Sequence, residues 1–307
     1  MNFGKMAILM QNYLMVKYNP KVWLTIIFHS YSRQIMRTLR PALVFITLFS
    51  LLVCIVILDV FRLHEQEFKS TITIHQLLGI VLGLFLVFRI NSSYDRWWEG
   101  RKLWGSMVNN VRNLAIKFNT YLAPTDRENR EWFAKMISNV PASLRDHLRG
   151  KNRPDDLESP DSEFQKTAES FRHLPNLVCL SLYGRIEKIK IEGKLSEHQL
   201  WLLDRELKEF ADIIGACERI KNTPIPYSYA MFIKKFIFIF LITLPFGLVT
   251  TLLYVTIPVV VLVTFVLLSV ELIAEEIEDP FGKDVNDLPT DELSTKMRES
   301  VRDILLR

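Results

Sequence analysis

The sequence has 307 residues, of which 49% are hydrophobic and 23% are charged, and its formal net charge is +4. This combination indicates two regions that face different solvents, in a chain long enough for two ordinary domains. No basic run with interleaved aromatic residues is present, which argues against nucleic-acid binding, and the three cysteines are too widely separated for a disulfide framework or a metal-type cluster.

The first 40 residues carry six lysines and arginines and no acid. Basic residues concentrate on the cytoplasmic side of membrane proteins, so we expect residues 1–40 to form cytoplasmic or interfacial N-terminal helices. No signal peptide is recognisable in this stretch, and we expect the first apolar span to act as the targeting signal.

Three apolar segments predict four membrane crossings. Residues 41–60 and 72–90 are each long enough to cross the hydrocarbon layer, and we assign residues 41–90 to transmembrane helices 1 and 2. Residues 236–270 are uncharged over a length too great for one crossing, so residues 232–272 are predicted to hold helices 3 and 4. Breaks are expected at Pro245–Gly247 and between Thr250 and Pro258. Four crossings place both termini in the cytoplasm.

The segment 91–231 is polar and shows helical spacing, which predicts a helical cytoplasmic domain. Thr125 or Asp126 is expected to cap one of its helices, and residues 150–161 form a surface loop. Both ends of this domain are fixed at the membrane, so we expect its helices to continue the transmembrane ones and to extend any pore.

Span two carries the clearest pattern for a pore. Ile80, Leu84 and Phe88 recur every four residues and form one stripe, beside a small-residue stripe of Gly79 and Gly83 that permits close helix contact. An apolar stripe of this kind faces lipid, a neighbouring helix or a pore. Around a common axis, rings of these side chains would make an apolar constriction that gates by dewetting.

The C-terminal segment 273–307 begins with a strongly acidic stretch. Six acids fall within residues 275–287, next to the end of the last span. Such a loop offers oxygen ligands for a hard cation such as Ca²⁺, although the spacing is not that of an EF-hand. The alternative interpretation is a solvated acidic turn. No catalytic motif was found, and no pair of histidines stands four residues apart on a helix.

Three stretches in sequence order, residues 88–105, 217–229 and 275–289, resemble the bestrophin family in its bacterial form. The resemblance implies an all-α integral membrane protein of the bacterial inner membrane, with four transmembrane helices per subunit, a helical cytoplasmic domain and a homopentameric channel. Its partners are then other copies of itself, the lipid bilayer and permeant monovalent ions. The family's neck falls on Ile80, Leu84 and Phe88.

The family's second, cytoplasmic aperture aligns with His198, where the usual residue is aliphatic. A ring of histidines titrates near neutral pH and would alter conductance, so we treat His198 as a pore residue and keep a plain surface position as the alternative.

No cofactor is required, but animal members of the family hold Ca²⁺ in the acidic loop. The matching positions are Asp284 and Asp287 as carboxylate ligands and Glu276 and Asp279 as carbonyl donors, while Lys283 and Val285 depart from the pattern.

The family function is passive conduction of chloride and other small anions. Some bacterial relatives pass sodium or potassium, so a monovalent cation channel of the same fold is the alternative, and a membrane-anchored enzyme or scaffold is a distant one. Asp59, Glu65 and Glu67 in the outer loop favour cations, and Arg62 and Lys69 oppose them.

Overall fold

The computed structural model describes residues 30–62 and 69–307, and this part of the chain is helical without strands. The expected N-terminal helices before Ser30, and outer-loop residues Glu65 and Glu67, lie outside the described residues. Nine α-helices follow in chain order: Ser30–Cys54 (α1), Lys69–Tyr121 (α2), Arg127–Leu148 (α3), Ser162–Ser170 (α4), Leu174–Ile191 (α5), Glu197–Asn222 (α6), Tyr227–Leu252 (α7), Thr256–Glu278 (α8) and Thr290–Leu306 (α9).

The described residues divide into two compact units. Residues 30–96 and 224–278 form one, called here the membrane unit, and residues 97–223 and 279–307 form the other, called the polar unit. Helix α2 is continuous across the boundary at residue 96. The expectation that a transmembrane helix continues without interruption into the next segment is confirmed for this helix.

The membrane unit contains the apolar helices. By length and composition, three continuous helical stretches of the described chain are able to cross a membrane: Ile35–Val60, Ile72–Tyr121 and Tyr227–Glu278. The first ends in a π-helical segment, Ile55–Val60, that follows α1. Side chains of α1, α2, α7 and α8 share one core, which includes Ile46, Leu82, Leu86, Ile237, Leu241 and Val260.

The third stretch changes direction at Leu253. This residue has a φ of 50°, in the left-handed region that non-glycine residues rarely adopt, and a short 3₁₀ segment, Leu253–Val255, separates α7 from α8. The two helices pack against each other after this break. The break falls inside the expected Thr250–Pro258 region.

The second expected break, at Pro245–Gly247, is wrong. Helix α7 runs through both residues, and both are buried. Proline lacks one backbone donor, but an apolar helix packed against neighbours tolerates this loss. Gly247 instead allows a close approach, because a Cβ atom there would stand 2.9 Å from His75 Nδ1 on α2.

The polar unit packs α3 against α5 and α9 around a core that also takes in the second half of α2 and helix α6. Asp126 caps α3, as predicted, by accepting a hydrogen bond from the Asn129 backbone N–H at 3.3 Å. Ser196 and Gln199 form a capping box at the start of α6. These caps fix where the helices that carry the polar side chains described below begin.

Candidate functional site

The stripe predicted on span two is exposed in the isolated chain. Ile80, Leu84 and Phe88 are 71%, 56% and 54% exposed, whereas Leu82 and Leu86, on the opposite face of α2, are buried. One face of α2 is buried in the core of the membrane unit, and the apolar stripe on its other face is uncovered. The uncovered side therefore requires lipid, another subunit or a pore.

The exposed face of α2 is wider than the stripe. Leu77, Val81 and Val87 flank it and are exposed as well. At 3.6 residues per turn, exposed Asn91 and Asp95 extend the same face along α2 beyond Phe88. The apolar band therefore ends in polar residues on one side.

The small-residue stripe makes one helix contact inside the chain. A Cβ atom on Gly79 would lie 3.6 Å from the Phe240 ring of α7, so this glycine does permit close packing, as predicted. A Cβ atom on Gly83 would meet nothing within 4 Å.

A buried ion cluster adjoins the stripe within the membrane unit. Arg89 follows Phe88 directly and is 1% exposed. Its Nη1 atom lies 2.8 Å from Glu278 Oε2, and its Nε atom lies 3.6 Å from Glu271 Oε1. Arg89 also donates to Ser93 Oγ at 3.2 Å. This cluster ties α2 to α8, because removing the guanidinium would leave two buried carboxylates without their cation.

Glu278 makes two further contacts at the end of α8. Its Oε1 atom accepts a hydrogen bond from the Ile225 backbone N–H at 2.9 Å, and its backbone carbonyl accepts one from Arg96 Nε at 3.1 Å. One residue therefore joins α2, α8 and the segment that leads into α7.

The acidic loop after α8 is held by hydrogen bonds from its own backbone. Asp287 is buried and accepts a hydrogen bond from the Asp284 backbone N–H at 2.6 Å, while the Asp284 side chain is exposed. Gly282 is required here, since a Cβ atom would lie 2.7 Å from Asp287 Oδ2.

The remaining predicted ligands of the loop lie apart from this turn. The Asp279 carboxylate is ion-paired with Lys221, and Glu276 is half-buried near the end of α8. Within residues 35–62 and 72–307, no three of the loop carboxylates come together as a set of side-chain ligands. Glu276 and Asp279 were predicted as backbone carbonyl donors, which a grouping of side chains does not examine, so the Ca²⁺ site stays an untested prediction.

The start of the loop packs against α2 inside the polar unit. Phe281 is buried, and a Cβ atom on Gly100 would stand 3.1 Å from its ring. The Trp97 indole N–H donates to the Asn286 carbonyl at 2.8 Å. The loop thus rests on the turn of α2 at residues 97–100.

Arg149 anchors the same loop from the end of α3. Its Nε atom is within hydrogen-bonding distance of the Phe281 and Gly282 carbonyls, at 3.3 Å and 3.2 Å, and its guanidinium pairs with Asp291 at 2.8 Å. Burial by itself would raise the pKa of Asp291, but the hydrogen bond and charge of Arg149 lower it below the usual value. The pair is therefore ionised at neutral pH.

His198 lies in the first turn of α6 with an exposed side chain. Asp59, at the end of the π-helical segment, accepts a hydrogen bond of 2.5 Å from the Tyr254 hydroxyl beside the α7–α8 break. Neither observation tests a role in conduction.

The sequence profile of the Bestrophin_2 family, described as Bacterial/Fungal Bestrophin protein, matches residues 15–303. The chain belongs to the bacterial and fungal bestrophin family. The family match and the apolar helices together identify this bestrophin as an integral membrane protein.

Curated relatives of this bestrophin carry channel names. A voltage-dependent anion channel-forming protein of Ralstonia nicotianae is 36% identical over 236 residues, covering 75% of this chain and 76% of the relative. One of Synechocystis with the same description is 33% identical over 245 residues, covering 78% and 80%.

Solved structures agree with this assignment. A bacterial bestrophin homolog from Klebsiella pneumoniae superposes with a TM-score of 0.77 at 29% identity, over 86% of this chain and 97% of the homolog. Another solved membrane protein gives a TM-score of 0.80 at 28% identity, over 88% and 99%. The family and these relatives favour a channel over the enzyme considered from the sequence.

Sequence reasoning missed the partners of Arg89. The arginine was visible as a charge at the end of an apolar run, which is a signal for a buried ion pair. Its partners Glu271 and Glu278 are about 180 residues away in the chain, and only the packing of α8 on α2 brings them together.

Proposed function

We propose that this bestrophin is the pore-forming subunit of a homopentameric channel that passively conducts small monovalent anions, with Ile80, Leu84 and Phe88 as its neck. The proposal is carried by one observation, the exposure of this stripe on a helix whose opposite face is buried. Rings of such side chains exclude water from a narrow pore and so gate it.

Four crossings per subunit are part of the proposal. Helices α1, α2, α7 and α8 each contain enough apolar residues to cross, and the left-handed turn at Leu253 supports counting α7 and α8 as two spans. Both termini then lie on the same side, which the basic N-terminal residues place in the cytoplasm.

The width of the exposed face supports assembly around an axis. A stripe facing a pore needs flanking surface for neighbouring copies, and exposed Leu77, Val81 and Val87 supply apolar flanks beside the neck stripe. The number five comes from the family resemblance.

Anion selectivity is proposed from the names of the curated relatives, and a sodium or potassium channel of the same fold is the alternative. The Asp59 carboxylate, counted above as favouring cations, is engaged by the Tyr254 hydroxyl.

The test of selectivity is the reversal potential of the purified protein in planar bilayers under a potassium chloride gradient. A value near the chloride equilibrium potential supports the proposal, and a value near that of potassium establishes the cation alternative. If a well-folded oligomer passes no current, the result supports the scaffold hypothesis instead.

A further inference from the structure

Three metal-capable side chains converge in the polar unit, away from the acidic loop. His147 lies near the end of α3, His173 is the N-cap of α5, and Glu218 is on α6. The Nε2 atoms of His147 and His173 lie 2.8 Å and 2.5 Å from Glu218 Oε1. In the described part of the chain, this is the group of three such side chains whose donor atoms all lie within 4.8 Å of one another.

The donor set is one that zinc prefers. Zn²⁺ is bound by histidine nitrogen and carboxylate oxygen, and two histidines with one glutamate leave a fourth position for water. The side chains of His147, His173 and Glu218 are 32%, 28% and 26% exposed, so an ion and its water ligand have access from solvent.

The donors also need to move little to accept an ion. Zinc at about 2.1 Å from each donor in a tetrahedron separates the donors by about 3.4 Å. The two separations from Glu218 Oε1 are 2.8 Å and 2.5 Å, so each must open by less than about 1 Å, and the donor atoms of all three side chains lie within 4.8 Å of one another. Each ligand comes from a different element, which holds the set in place before the ion arrives.

We propose that His147, His173 and Glu218 form a binding site for Zn²⁺ or a similar transition-metal ion, completed by water. An ion there links α3, α5 and α6 and stabilises the polar unit. The site is independent of the pore proposed above, and its test does not rely on conduction.

Binding has an identifiable cost at His173. The Asn176 backbone N–H donates to His173 Nδ1 at 3.2 Å, so in the metal-free state the proton of this neutral imidazole is on Nε2 and is donated to Glu218. Coordination through Nε2 moves that proton to Nδ1 and breaks the capping hydrogen bond. When the ion binds, the capping hydrogen bond and the two hydrogen bonds to Glu218 are lost, and three metal–ligand bonds form.

The neighbouring thiol does not complete the site. Cys217 precedes Glu218, but its side chain is fully buried in the core of the polar unit. Burial raises the pKa of this thiol to about 12, which keeps it protonated.

The experiment measures zinc binding to the full-length protein in detergent, with affinity tags removed and bound metal stripped by a chelator. Equilibrium dialysis gives the stoichiometry, and a competing chromophoric chelator gives the affinity. We expect one Zn²⁺ per chain, and no displacement by Ca²⁺ or Mg²⁺, because these ions prefer all-oxygen sites.

Two variants remove one ligand each with little other change. His173→Asn deletes the imidazole but keeps a residue that is favoured at an N-cap, and Glu218→Gln keeps the side-chain shape. Each should weaken zinc binding by about tenfold or more. The control is Glu209→Gln, at an exposed glutamate on the same helix as Glu218 but outside the cluster, which should bind zinc like the wild type.

Thermal unfolding provides a second readout. Zinc should raise the unfolding temperature of the wild type and of Glu209→Gln, and should leave that of Glu218→Gln nearly unchanged. The proposal is overturned if both ligand variants bind zinc as tightly as the wild type, which would indicate adventitious ions only. It is also overturned if Asp284→Asn, in the acidic loop, abolishes binding instead.

Discussion

The two halves of α2 use apolar side chains in opposite ways. In the membrane unit, Ile80, Leu84 and Phe88 lie on a broad exposed face, Leu82 and Leu86 are buried on the opposite face, and Arg89 is buried beside them. In the polar unit, the same helix buries Trp104, Met107, Val111, Leu114 and Phe118 in a core. The difference teaches that hydrophobicity alone does not mark the inside of this protein, because apolar side chains of the first half are exposed in the isolated chain and those of the second half are buried.

The largest expected effect is a loss of folding stability when Arg89, the buried cation in the first half of α2, is replaced. Arg89→Gln removes the charge that faces Glu271 and Glu278, and losing one partner of a buried ion cluster costs about 3–5 kcal/mol. Thermal unfolding in detergent should show a large loss of stability. Exposed Arg101, on the same helix, is the matched control, and Arg101→Gln should unfold like the wild type. Equal stability of Arg89→Gln and wild type would show that the cluster does not hold α2 to α8.

A matched pair of leucines tests the contrast itself. Leu114 is fully buried and Leu84 is 56% exposed, so Leu114→Ala should cost about 2–5 kcal/mol and Leu84→Ala only about 0.5 kcal/mol. Leu84→Ala should instead widen the neck and raise single-channel current, whereas Leu114→Ala should leave the conductance of surviving channels unchanged. Stability is measured by thermal unfolding and current in planar bilayers. The proposed difference between the two halves of α2 is wrong if both substitutions change only stability or both change only the current.

Two glycines in the second half of α2 test whether the acidic loop packs against this helix. Gly100→Ala places a methyl group 3.1 Å from Phe281 and 3.2 Å from Pro280, and such overpacking costs about 1–3 kcal/mol. Gly105→Ala meets only the Arg101 guanidinium at 3.5 Å and should be neutral or stabilise the helix by about 0.5–1 kcal/mol. Thermal unfolding separates the two. If Gly100→Ala behaves like Gly105→Ala, the loop does not rest on α2.

The smallest expected effect is at His198. If it lines an aperture, a protonated ring of histidines adds positive charge there and increases anion current. Glu197 and Lys194 are the nearest charged residues in sequence, and both are retained in His198→Ala. This variant should lose the pH dependence of current in planar bilayers. An unchanged dependence would make His198 an ordinary surface residue.

The sequence was sufficient for features that depend on local composition. Apolar length located the spans, and a cap at Thr125 or Asp126 followed from the local pattern. The continuation of α2 past residue 90 was expected because both ends of the polar segment are fixed at apolar spans. The break at Pro245 failed because a proline signals a helix end in water, whereas packed apolar helices absorb the lost hydrogen bond.

Long-range pairings could not be predicted. Arg89 meets Glu271 and Glu278 through helix packing, and the convergence of His147, His173 and Glu218 depends on three separate helices. Neither grouping has a sequence spacing, and both are visible only after the helices are placed.

The most direct test of the central claim is whether Leu84 lines the path of the permeant ions. In Leu84→Cys, a positively charged, membrane-impermeant thiol reagent should change the current irreversibly, while Leu262→Cys, an equally exposed position on α8, should not respond. The native thiols give little background, because Cys54 is buried and burial raises the pKa of Cys179 to about 11 and that of Cys217 to about 12. Modification at Leu84→Cys alone is the predicted result. If the reagent modifies Leu84→Cys and the current stays unchanged, this face of α2 does not line the pore.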